Sequence, residues 1–290
     1  MRVLIATGGT GGHIYPGILI GKYLKEKGSE VLFTIGRRER ELKILKKENL
    51  NFISLFISLK IINKFKPQKI VATGSYSSFP ILFWVNLLKI PYFLHEQNVL
   101  PGKVNKIFSK NAKKIFISFE NTKNYLDTKN YIFSGFPIRE KIGKIEKNEG
   151  KEKLKINTDK KIFLLLGGSG GSKYLLELVK RFEEDLNSMN LFGLIIKGNI
   201  SFEEKFKFEN KVFDYIDEIE YAYGASDFVI ARGGAGTLWE IFVSKKPSII
   251  IPIKGSEHQI KNSEIIENLK IGEVFNSEDE SKFIEKVRIV

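Results

Sequence analysis

Apolar residues occur along this chain in short unbroken runs that alternate with longer stretches of helical periodicity. Runs such as residues 3–6 and 162–166 consist only of apolar residues, which is typical of strands buried on both faces of a parallel sheet. The stretches between the runs, such as residues 15–27, repeat apolar positions at helical spacing. This strand–helix–strand order predicts an α/β fold with mostly parallel sheets.

The rhythm of strands and helices begins twice, which predicts two domains. In the first half we predict strands at 3–6, 30–35, 51–55, 69–72, 92–94, 114–117 and 131–133, and helices at 15–27, 38–48 and 79–88. In the second half we predict strands at 162–166, 191–197, 211–213, 228–231 and 248–251, and helices at 173–186, 218–225, 237–244, 259–269 and 281–287. The charged stretch 142–161 is predicted to be a linker and the first helix of the second domain. The predicted domains are residues 1–138 and 139–290.

Glycine-rich loops follow three of the predicted strands. They are residues 8–13 (GGTGGH), 167–172 (GGSGGS) and 232–240 (RGGAGTLWE). Such loops permit positive φ and bring backbone N–H groups at a helix N-terminus close to an anion. None matches the dinucleotide pattern G-x-G-x-x-G or carries the lysine of a P-loop. We expect phosphate or sugar ligands in a cleft between two doubly wound domains.

Composition places the chain among folded proteins and gives it a one-sided charge. Hydrophobic residues make up 42% and charged residues 28%, and cysteine is absent, which excludes disulfides and thiolate metal sites. Residues 1–138 carry 22 basic and 8 acidic residues, against 25 and 26 in the remainder, so the first half has a charge of +14 and the second of −1, which together make the net +13. This favours an anionic partner for the first domain: a phosphorylated substrate, an acidic membrane surface or nucleic acid.

The most apolar stretch, residues 79–94, is predicted not to span a membrane. It is interrupted by Pro80, Asn86, Lys89 and Pro91 and is too short for a hydrocarbon core of about 30 Å. The chain begins with Met1-Arg2 and leads directly into the first strand, without a recognisable targeting signal. We therefore expect a cytoplasmic protein.

All three histidines of the chain stand beside a predicted loop. His13 ends the first glycine loop, His95 follows the strand at 92–94, and His258 follows the strand at 248–251. We expect all three at strand ends that face the ligand cleft. Their spacing is not that of a zinc helix, and the chain contains no Asp-x-Asp, so the sequence predicts no metal site.

Two charged residues are candidates for contacts with a nucleotide. Glu240 lies one helical turn after Gly236, so it is expected to face the loop and to accept hydrogen bonds from a ribose diol; the alternative is an ordinary exposed helix residue. Arg139, at the predicted domain border, could neutralise a diphosphate by bidentate contact.

Five motifs in order along residues 1–275 carry a resemblance to a known family. They are GGTGGH (8–13), HEQN (95–98), GFPIR (135–139), GGSGG (167–171) and RGGAGTLWE (232–240). Together they resemble the MurG family within glycosyltransferase family 28. The resemblance implies a GT-B fold of two Rossmann-like domains and a metal-independent, inverting transfer without a cofactor. N-acetylglucosamine would pass from UDP-GlcNAc to the 4-hydroxyl of lipid-linked muramoyl-pentapeptide.

The same resemblance assigns roles to individual residues. His13 is implied as general base or acceptor-positioning group. Donor contacts are implied for Thr10, Gly11 and Gly12 (sugar and diphosphate), Asn98 (sugar), Arg139 and Ser169 (diphosphate), Ile216 (uracil), Ala235, Gly236, Thr237, Leu238 and Glu240 (uracil, phosphate and ribose), and Gln259 (sugar). Further loop or acceptor candidates are Gly74, Tyr76, His95, Glu96 and His258.

A membrane is the expected partner of the basic first domain. The segment between residues 55 and 69 is shorter than in the family, where it carries an apolar docking patch. Here Phe56, Ile57, Ile61, Ile62 and Phe65 alternate with Lys60, Lys64 and Lys66, which predicts either a small docking patch or core packing. We expect peripheral attachment to the anionic cytoplasmic face of the cell membrane, and no nucleic-acid partner.

Other functions remain open at the level of the sequence. The acceptor could be another lipid, such as a diacylglycerol. A UDP-sugar epimerase on the same fold would need carboxylates near the sugar, where the sequence offers Glu96. A charge-driven nucleic-acid binder would not need five ordered loops, and a non-catalytic sugar-nucleotide-binding protein would not need His13, Arg139 and Glu240 together.

Overall fold

The protein consists of two compact units, Met1–Pro137 and Ile138–Val290. They are seen in a computed structural model that describes residues 1–36, 39–48, 50–54, 58–168, 170–275 and 280–290. The border lies one residue before the one expected from the sequence.

The first unit is a parallel sheet with helices on both faces. Its strands are β1 (Arg2–Ala6), β2 (Glu30–Ile35), β3 (Phe52–Ser54), β4 (Lys69–Ala72), β5 (Tyr92–Glu96), β6 (Lys114–Ile117) and β7 (Tyr131–Phe133). Its helices are α1 (Gly11–Glu26), α2 (Glu39–Lys47), α3 (Ser58–Phe65), α4 (Phe79–Leu87) and α5 (Lys103–Phe108), with 3₁₀ turns at Tyr76–Ser78, Ser109–Asn111 and Glu120–Tyr125. The strand order is β3-β2-β1-β4-β5-β6-β7. The chain therefore winds outward in both directions from the central pair β1 and β4.

Side chains that alternate along β1 supply two separate cores. Val3 and Ile5 join an apolar cluster with Ile14 and Ile18 of α1. Leu4 belongs to a second cluster, which contains residues of α3, α4 and α5. Successive side chains of a strand point to opposite faces, so an unbroken apolar run is what a strand covered on both sides requires.

The segment predicted as a small docking patch packs largely into the second of these cores. It forms α3, in which Ile61 and Ile62 are buried and Phe65 is partly buried against the same cluster. The lysines Lys60 and Lys64 of this helix are exposed. Of the two alternatives that the sequence left open, core packing is confirmed for Ile61 and Ile62, because their helix turns its apolar side to the sheet. Phe56 and Ile57 lie outside the described residues.

The second unit repeats the same architecture. Its strands are β8 (Lys161–Leu166), β9 (Leu191–Ile196), β10 (Asn210–Phe213), β11 (Phe228–Ala231), β12 (Ser248–Ile250) and β13 (Glu273–Val274). Its helices are α6 (Lys147–Lys153), α7 (Lys173–Arg181), α8 (Glu183–Ser188), α9 (Ile219–Ala225), α10 (Ala235–Ser244), α11 (Glu257–Asn268) and α12 (Phe283–Ile289). The parallel strand order is β10-β9-β8-β11-β12-β13, with β8 and β11 as the central pair.

One predicted helix of the second unit is two helices in the structure. The stretch 173–186 breaks at Phe182, whose backbone departs from helical values at φ −100° and ψ 20°. The Phe182 ring packs on Phe283 of α12, with ring centroids 5.5 Å apart. Helical periodicity alone does not reveal such a break, because the contact comes from the distant end of the chain.

Close packing of α1 on β2 requires a glycine at position 21. A Cβ built on Gly21 would lie 2.2 Å from the Cζ atom of Phe33, and Phe33 is fully buried. We expect Gly21→Ala to lower the free energy of unfolding by about 1–3 kcal/mol through overpacking, although alanine alone favours a helix by up to about 1 kcal/mol.

Urea unfolding of Gly21→Ala beside Lys25→Ala measures this effect. Lys25 is exposed on the same helix, so its variant should stay within about 0.5 kcal/mol of the parent. Equal stability of the two variants would contradict the overpacking account.

Candidate functional site

The predicted loops of the first unit leave the carboxyl ends of its two central strands. The register pairs Ala6 of β1 with Ala72 of β4, so the residues that follow, Thr7 and Thr73, are neighbours. The chain continues from β1 into α1 and from β4 into α4, which pack on opposite faces of the sheet. In doubly wound sheets this point, where the strand order reverses, is the usual ligand site.

The first glycine loop turns sharply and then opens α1. Gly8 and Gly9 have φ values of +145° and +83°, which disfavour side chains. The N–H of Gly9 donates to Oε1 of buried Glu41 at 2.7 Å. Thr10 is the N-cap residue, and among the described residues its hydroxyl makes no bond to the helix. The amides of Gly11 and Gly12 lie at the helix N-terminus and form a site suited to an anion, whereas the N–H of His13 already donates to the oxygen of Thr10 at 3.0 Å.

His13 sits in the first turn of α1 with one ring nitrogen already engaged. Its Nδ1 lies 2.7 Å from the backbone oxygen of Thr73. A carbonyl oxygen can only accept, so this bond places the proton on Nδ1 and leaves the lone pair on Nε2. His13 is half-buried, and its imidazole is thus arranged to accept a proton at Nε2.

Gly74 and Tyr76, the candidates after β4, have different surroundings. Gly74 is buried with φ +75°, and a Cβ there would lie 2.3 Å from Nδ2 of Asn105. Close packing of the backbone therefore requires this glycine. The Tyr76 side chain is 77% exposed and is open to a ligand.

His95 is a core residue, contrary to the expectation that it faces a ligand. It lies within β5 and is 2% exposed, and its Nδ1 is 2.9 Å from the side-chain nitrogen Nε2 of Gln97. Burial lowers its pKa to about 4; a hydrogen bond with the backbone of Gly135 opposes this shift and the proximity of His13 adds to it. The His95 imidazole is therefore neutral near pH 7.

Glu96 organises the loop that follows β5 rather than facing a sugar. It is buried, and its Oε2 accepts from the N–H of Gly102 at 2.9 Å and from Nδ2 of Asn105 at 2.7 Å. Its Oε1 accepts from the N–H of Asn98 at 2.9 Å. Asn98 is half-buried, so this loop presents Asn98 while Glu96 anchors it from inside.

The second unit has the same geometry at the ends of β8 and β11. Leu166 is paired with Ala231, so the second and third glycine loops leave neighbouring strand ends. Gly171, with φ +79°, would place a Cβ 2.2 Å from the backbone oxygen of Lys197. Ser169, predicted to contact a diphosphate, lies outside the described residues.

The third glycine loop opens α10 with its first amides directed out of the helix end. Gly234 is the N-cap residue, so Ala235, Gly236 and Thr237 form the first turn. Leu238 does not share this position: its side chain is 1% exposed in the core, and its N–H donates to the oxygen of Gly234 at 3.0 Å. The predicted donor contact of Leu238 is therefore not available to its side chain or its amide.

Glu240 lies in a polar cluster, and its carboxyl has a raised pKa. It is half-buried, and the hydroxyl of Tyr223 donates to its Oε2 at 2.9 Å. Burial raises the pKa of Glu240 to about 7; the Tyr223 bond and the charge of Arg139 lower it, and Glu220 raises it. Glu240 is therefore not an ordinary exposed helix residue, and its carboxyl is only partly ionised near pH 7.

Arg139 is held by acceptors within the second unit. Its guanidinium donates to the backbone oxygen of Asp217 and lies 3.5 Å from Oε2 of buried Glu220. The positive charge of Arg139 is therefore partly compensated by Glu220.

The remaining donor candidates surround the loops of the second unit. Ile216 is half-buried against the core. Gln259, in the first turn of α11, accepts from the N–H of Ile253 through Oε1 at 3.0 Å, so its NH₂ group is the end that can donate. His258 beside it is exposed.

Arg232 is a residue whose individual role the sequence did not indicate. Its Nε donates to Oγ of Ser172 at 3.1 Å and its Nη1 to the oxygen of Ile251 at 3.0 Å. The guanidinium also lies 4.8 Å from the ring centroid of Tyr174. Arg232 therefore ties together the strand ends of β8, β11 and β12. An arginine directly after a buried strand is the signal that could have pointed to it.

Neither a metal-binding cluster nor a membrane-spanning helix occurs among the described residues. They contain no group of three or more His, Asp or Glu side chains placed to hold a metal ion. Within the same residues, no helix has the length and apolar character that crossing a bilayer requires.

Comparison with known proteins places the chain in a family. The glycosyltransferase family 28 N-terminal domain matches residues 3–59 and 51–117, and the family 28 C-terminal domain matches residues 162–289. Similar curated proteins include UDP-N-acetylglucosamine–N-acetylmuramyl-(pentapeptide) pyrophosphoryl-undecaprenol N-acetylglucosamine transferases. The one from Clostridioides difficile is 32% identical over 94% of this chain and 76% of its own length. The one from Christiangramia forsetii is 34% identical over 91% and 81%.

Solved structures show the same fold. MurG of Acinetobacter baumannii has a TM-score of 0.73 at 18% identity, and the spinosyn forosaminyltransferase SpnP a TM-score of 0.76 at 12% identity. Each comparison covers 99% of this chain and 89% of the other. The chain belongs to glycosyltransferase family 28. It is a glycosyltransferase, and its fold class is the GT-B class implied by the motifs.

The raised pKa of Glu240 makes stability depend on pH. In the unfolded chain the carboxyl has a pKa near 4.5, and in the folded chain near 7, so the folded state holds a proton that the unfolded state releases in between. This contribution to stability is full below pH 4.5 and is lost as the pH rises through 7. Relative to Glu240→Gln, the parent should lose on the order of 2 kcal/mol of unfolding free energy between pH 5 and pH 8.

Urea unfolding of the parent and of Glu240→Gln between pH 5 and pH 8 checks the raised pKa of Glu240. Tyr223→Phe is a useful companion, because it removes the hydroxyl bond that lowers the pKa and should enlarge the effect. If the free energy of unfolding varied with pH in the same way for the parent and for Glu240→Gln, the raised pKa of Glu240 would be contradicted.

Proposed function

We propose that this chain transfers N-acetylglucosamine from UDP-GlcNAc to the 4-hydroxyl of undecaprenyl-pyrophosphoryl-MurNAc-pentapeptide, with inversion. The names and 32–34% identity of the curated relatives support this reaction. The observation that carries the proposal is the bond from His13 Nδ1 to the Thr73 carbonyl, beside a helix N-terminus. It leaves Nε2 as the basic ring nitrogen, beside a helix N-terminus that suits an anion.

His13 acts as the general base in the proposed reaction. Its Nε2 takes the proton of the acceptor 4-hydroxyl while that oxygen attacks the anomeric carbon from the face opposite to UDP. The bond from the anomeric carbon to the diphosphate oxygen breaks, and UDP leaves with the electron pair. Imidazole suits this role because its pKa lies near working pH.

The departing diphosphate needs stabilisation from groups already aligned. In the second unit, the first-turn amides of Ala235 to Thr237 form a helix N-terminus that suits this charge. In the first unit, the resemblance assigns Thr10, Gly11 and Gly12, at the start of α1, to the sugar and diphosphate. Arg139 contributes its guanidinium, exchanging part of its contact with Glu220. Ser169 is assigned to the same diphosphate by resemblance alone. No cofactor or metal takes part in this proposal.

The second unit supplies most of the nucleotide contacts in the proposal. Glu240, held by Tyr223, accepts from the ribose hydroxyls, and Ile216 packs against the uracil. Gln259 donates to the sugar, with His258 next to it. In the first unit, the resemblance assigns a sugar contact to Asn98. Leu238 acts as a core residue that supports α10.

The test is a transfer assay with UDP-GlcNAc and the lipid-linked muramoyl-pentapeptide, comparing the parent with His13→Gln. Glutamine cannot take up the proton, so kcat should fall by about 10²- to 10⁴-fold. Calorimetric affinity for UDP-GlcNAc should stay near that of the parent, because His13 acts on the acceptor. Lys25→Gln, on the exposed side of α1, is the matched control. Near-normal turnover of His13→Gln would remove the base assignment.

The same assay separates the alternative reactions. A parent enzyme that glycosylates diacylglycerol but not the muramoyl lipid would be a transferase for another acceptor. Conversion of UDP-GlcNAc to its epimer without an acceptor would identify an epimerase. Neither product is expected.

We also propose that the first unit docks on the cytoplasmic face of an anionic membrane through α4 and its surroundings. Phe79, Phe83 and Leu87 follow each other at a spacing of four, so they share one exposed face of α4, while Ile81, Leu82 and Val85 pack into the core. Tyr76 and Ile107 add exposed apolar surface from adjoining segments, the 3₁₀ turn before α4 and α5. This apolar surface replaces the one predicted at residues 56–65.

Lysines border this apolar surface. Lys103 and Lys106 of α5 and Lys110 in the following turn are exposed, and α5 contacts α4. Exposed apolar side chains combined with several lysines suit a surface of anionic lipid, because burial and charge attraction add.

Vesicle sedimentation with phosphatidylglycerol-containing liposomes tests the membrane surface. Phe83→Ser combined with Leu87→Ser should weaken binding at least about tenfold, since each apolar side chain contributes about 1.5–3 kcal/mol when fully buried. Leu269→Ser is the control, because Leu269 is similarly exposed in the second unit. Unchanged binding of the double variant would place the membrane contact elsewhere.

A further inference from the structure

Two buried threonines stand between the central strands of the first unit and the start of α1. Thr7 and Thr73 are both fully buried, and their hydroxyl oxygens are 2.9 Å apart. Oγ1 of Thr7 donates to the backbone oxygen of His13 at 2.8 Å. Because a hydroxyl has one proton, Thr73 must be the donor in the bond between the two threonines.

These bonds form a closed circuit around His13. Thr73 Oγ1 donates to Thr7 Oγ1, Thr7 Oγ1 donates to the His13 backbone oxygen, and His13 Nδ1 donates to the Thr73 backbone oxygen. Both threonines are also fixed through their amides, since Thr7 N–H donates to Thr34 and Thr73 N–H donates to Ala6. The circuit therefore holds the backbone and the ring of His13 against two neighbouring strand ends.

A glycine in α1 packs closely against this circuit. A Cβ built on Gly17 would lie 3.0 Å from Cβ and from Oγ1 of Thr7. Gly17 follows His13 by one helical turn, so it lies on the side of α1 from which Thr7 reaches the His13 carbonyl. A larger residue there would crowd the threonine away from its acceptor.

We propose that Thr7 and Thr73 are positioning residues that fix the tautomer and direction of the His13 imidazole, so that Nε2 stays available to the acceptor hydroxyl. This rests on the proposed function, because the benefit of a fixed Nε2 is proton transfer. Neither threonine touches substrate; each acts through His13. A mobile imidazole would spend part of its time with Nε2 protonated or turned away, which lowers kcat without weakening donor binding.

The experiment compares Thr7→Val, Thr7→Ser and Thr34→Val. Valine removes the hydroxyl with little change of shape, and serine restores it. Thr34 is equally buried on the neighbouring strand β2, and its hydroxyl lies 3.5 Å from the backbone oxygen of Ile5. Thr34→Val therefore removes a buried hydroxyl that does not face His13. We expect kcat of Thr7→Val to fall about tenfold or more with KM for UDP-GlcNAc unchanged, and Thr7→Ser and Thr34→Val to stay near the parent.

Nitrogen NMR of the His13 ring gives a readout that does not depend on turnover. In the parent, Nδ1 should appear protonated and Nε2 unprotonated at pH 8; in Thr7→Val the two signals should move toward each other as tautomers exchange. Unchanged signals and kcat in Thr7→Val, or an equal loss in Thr34→Val, would overturn the positioning role. If Thr7→Val does not fold, Thr73→Val carries the same expectations and the same decision.

The two proposals can fail separately. A single Nδ1-protonated tautomer in an inactive parent, lost in Thr7→Val, would reject the transferase function while retaining the positioning role. An active parent in which the valine variants keep both kcat and the tautomer would reject the positioning role alone.

Discussion

The parallel pairing of β1 with β4 is the constraint on which the proposed catalytic group depends. Because Ala6 pairs with Ala72, Thr7 and Thr73 emerge side by side, and α1 begins directly above them. A shift of one residue between these strands would turn every buried side chain to the wrong face, and both faces are covered by separate apolar clusters. The register is therefore held by the core, and through it the position of His13 is held as well.

The second unit uses the same strand arrangement for different chemistry. The pairing of β8 with β11 brings two glycine loops together, and Arg232 links them to the end of β12. Near α10, burial raises the pKa of Glu240; the bond from Tyr223 and the charge of Arg139 lower that pKa, and Glu220 raises it. In the proposed donor complex, ribose hydroxyls that donate to this carboxyl would favour its ionised form and so would couple donor binding to proton release.

Residues of one sequence motif differ in how deeply they are buried in the structure. Of the HEQN segment, His95 and Glu96 are buried and Asn98 is half-buried. His95 is covered by Ser118 and Phe136, which come later in the chain. Similarly, α4 lies in the most apolar stretch of the chain, yet its Phe83 and Leu87 are exposed. The order of residues does not reveal which side of a helix the sheet covers.

The sequence by itself determined the two α/β units, nearly all of the strands to within one or two residues, and the loops at their ends. These features depend on local properties: the length of apolar runs, helical periodicity, and glycines that allow sharp turns. Only the tertiary structure decided the His13 tautomer, the titration of Glu240 and the burial of His95 and Leu238. Each of these depends on desolvation or on a hydrogen bond between distant residues, such as His13 and Thr73, which are 60 positions apart, and such contacts exist only once the sheet has assembled.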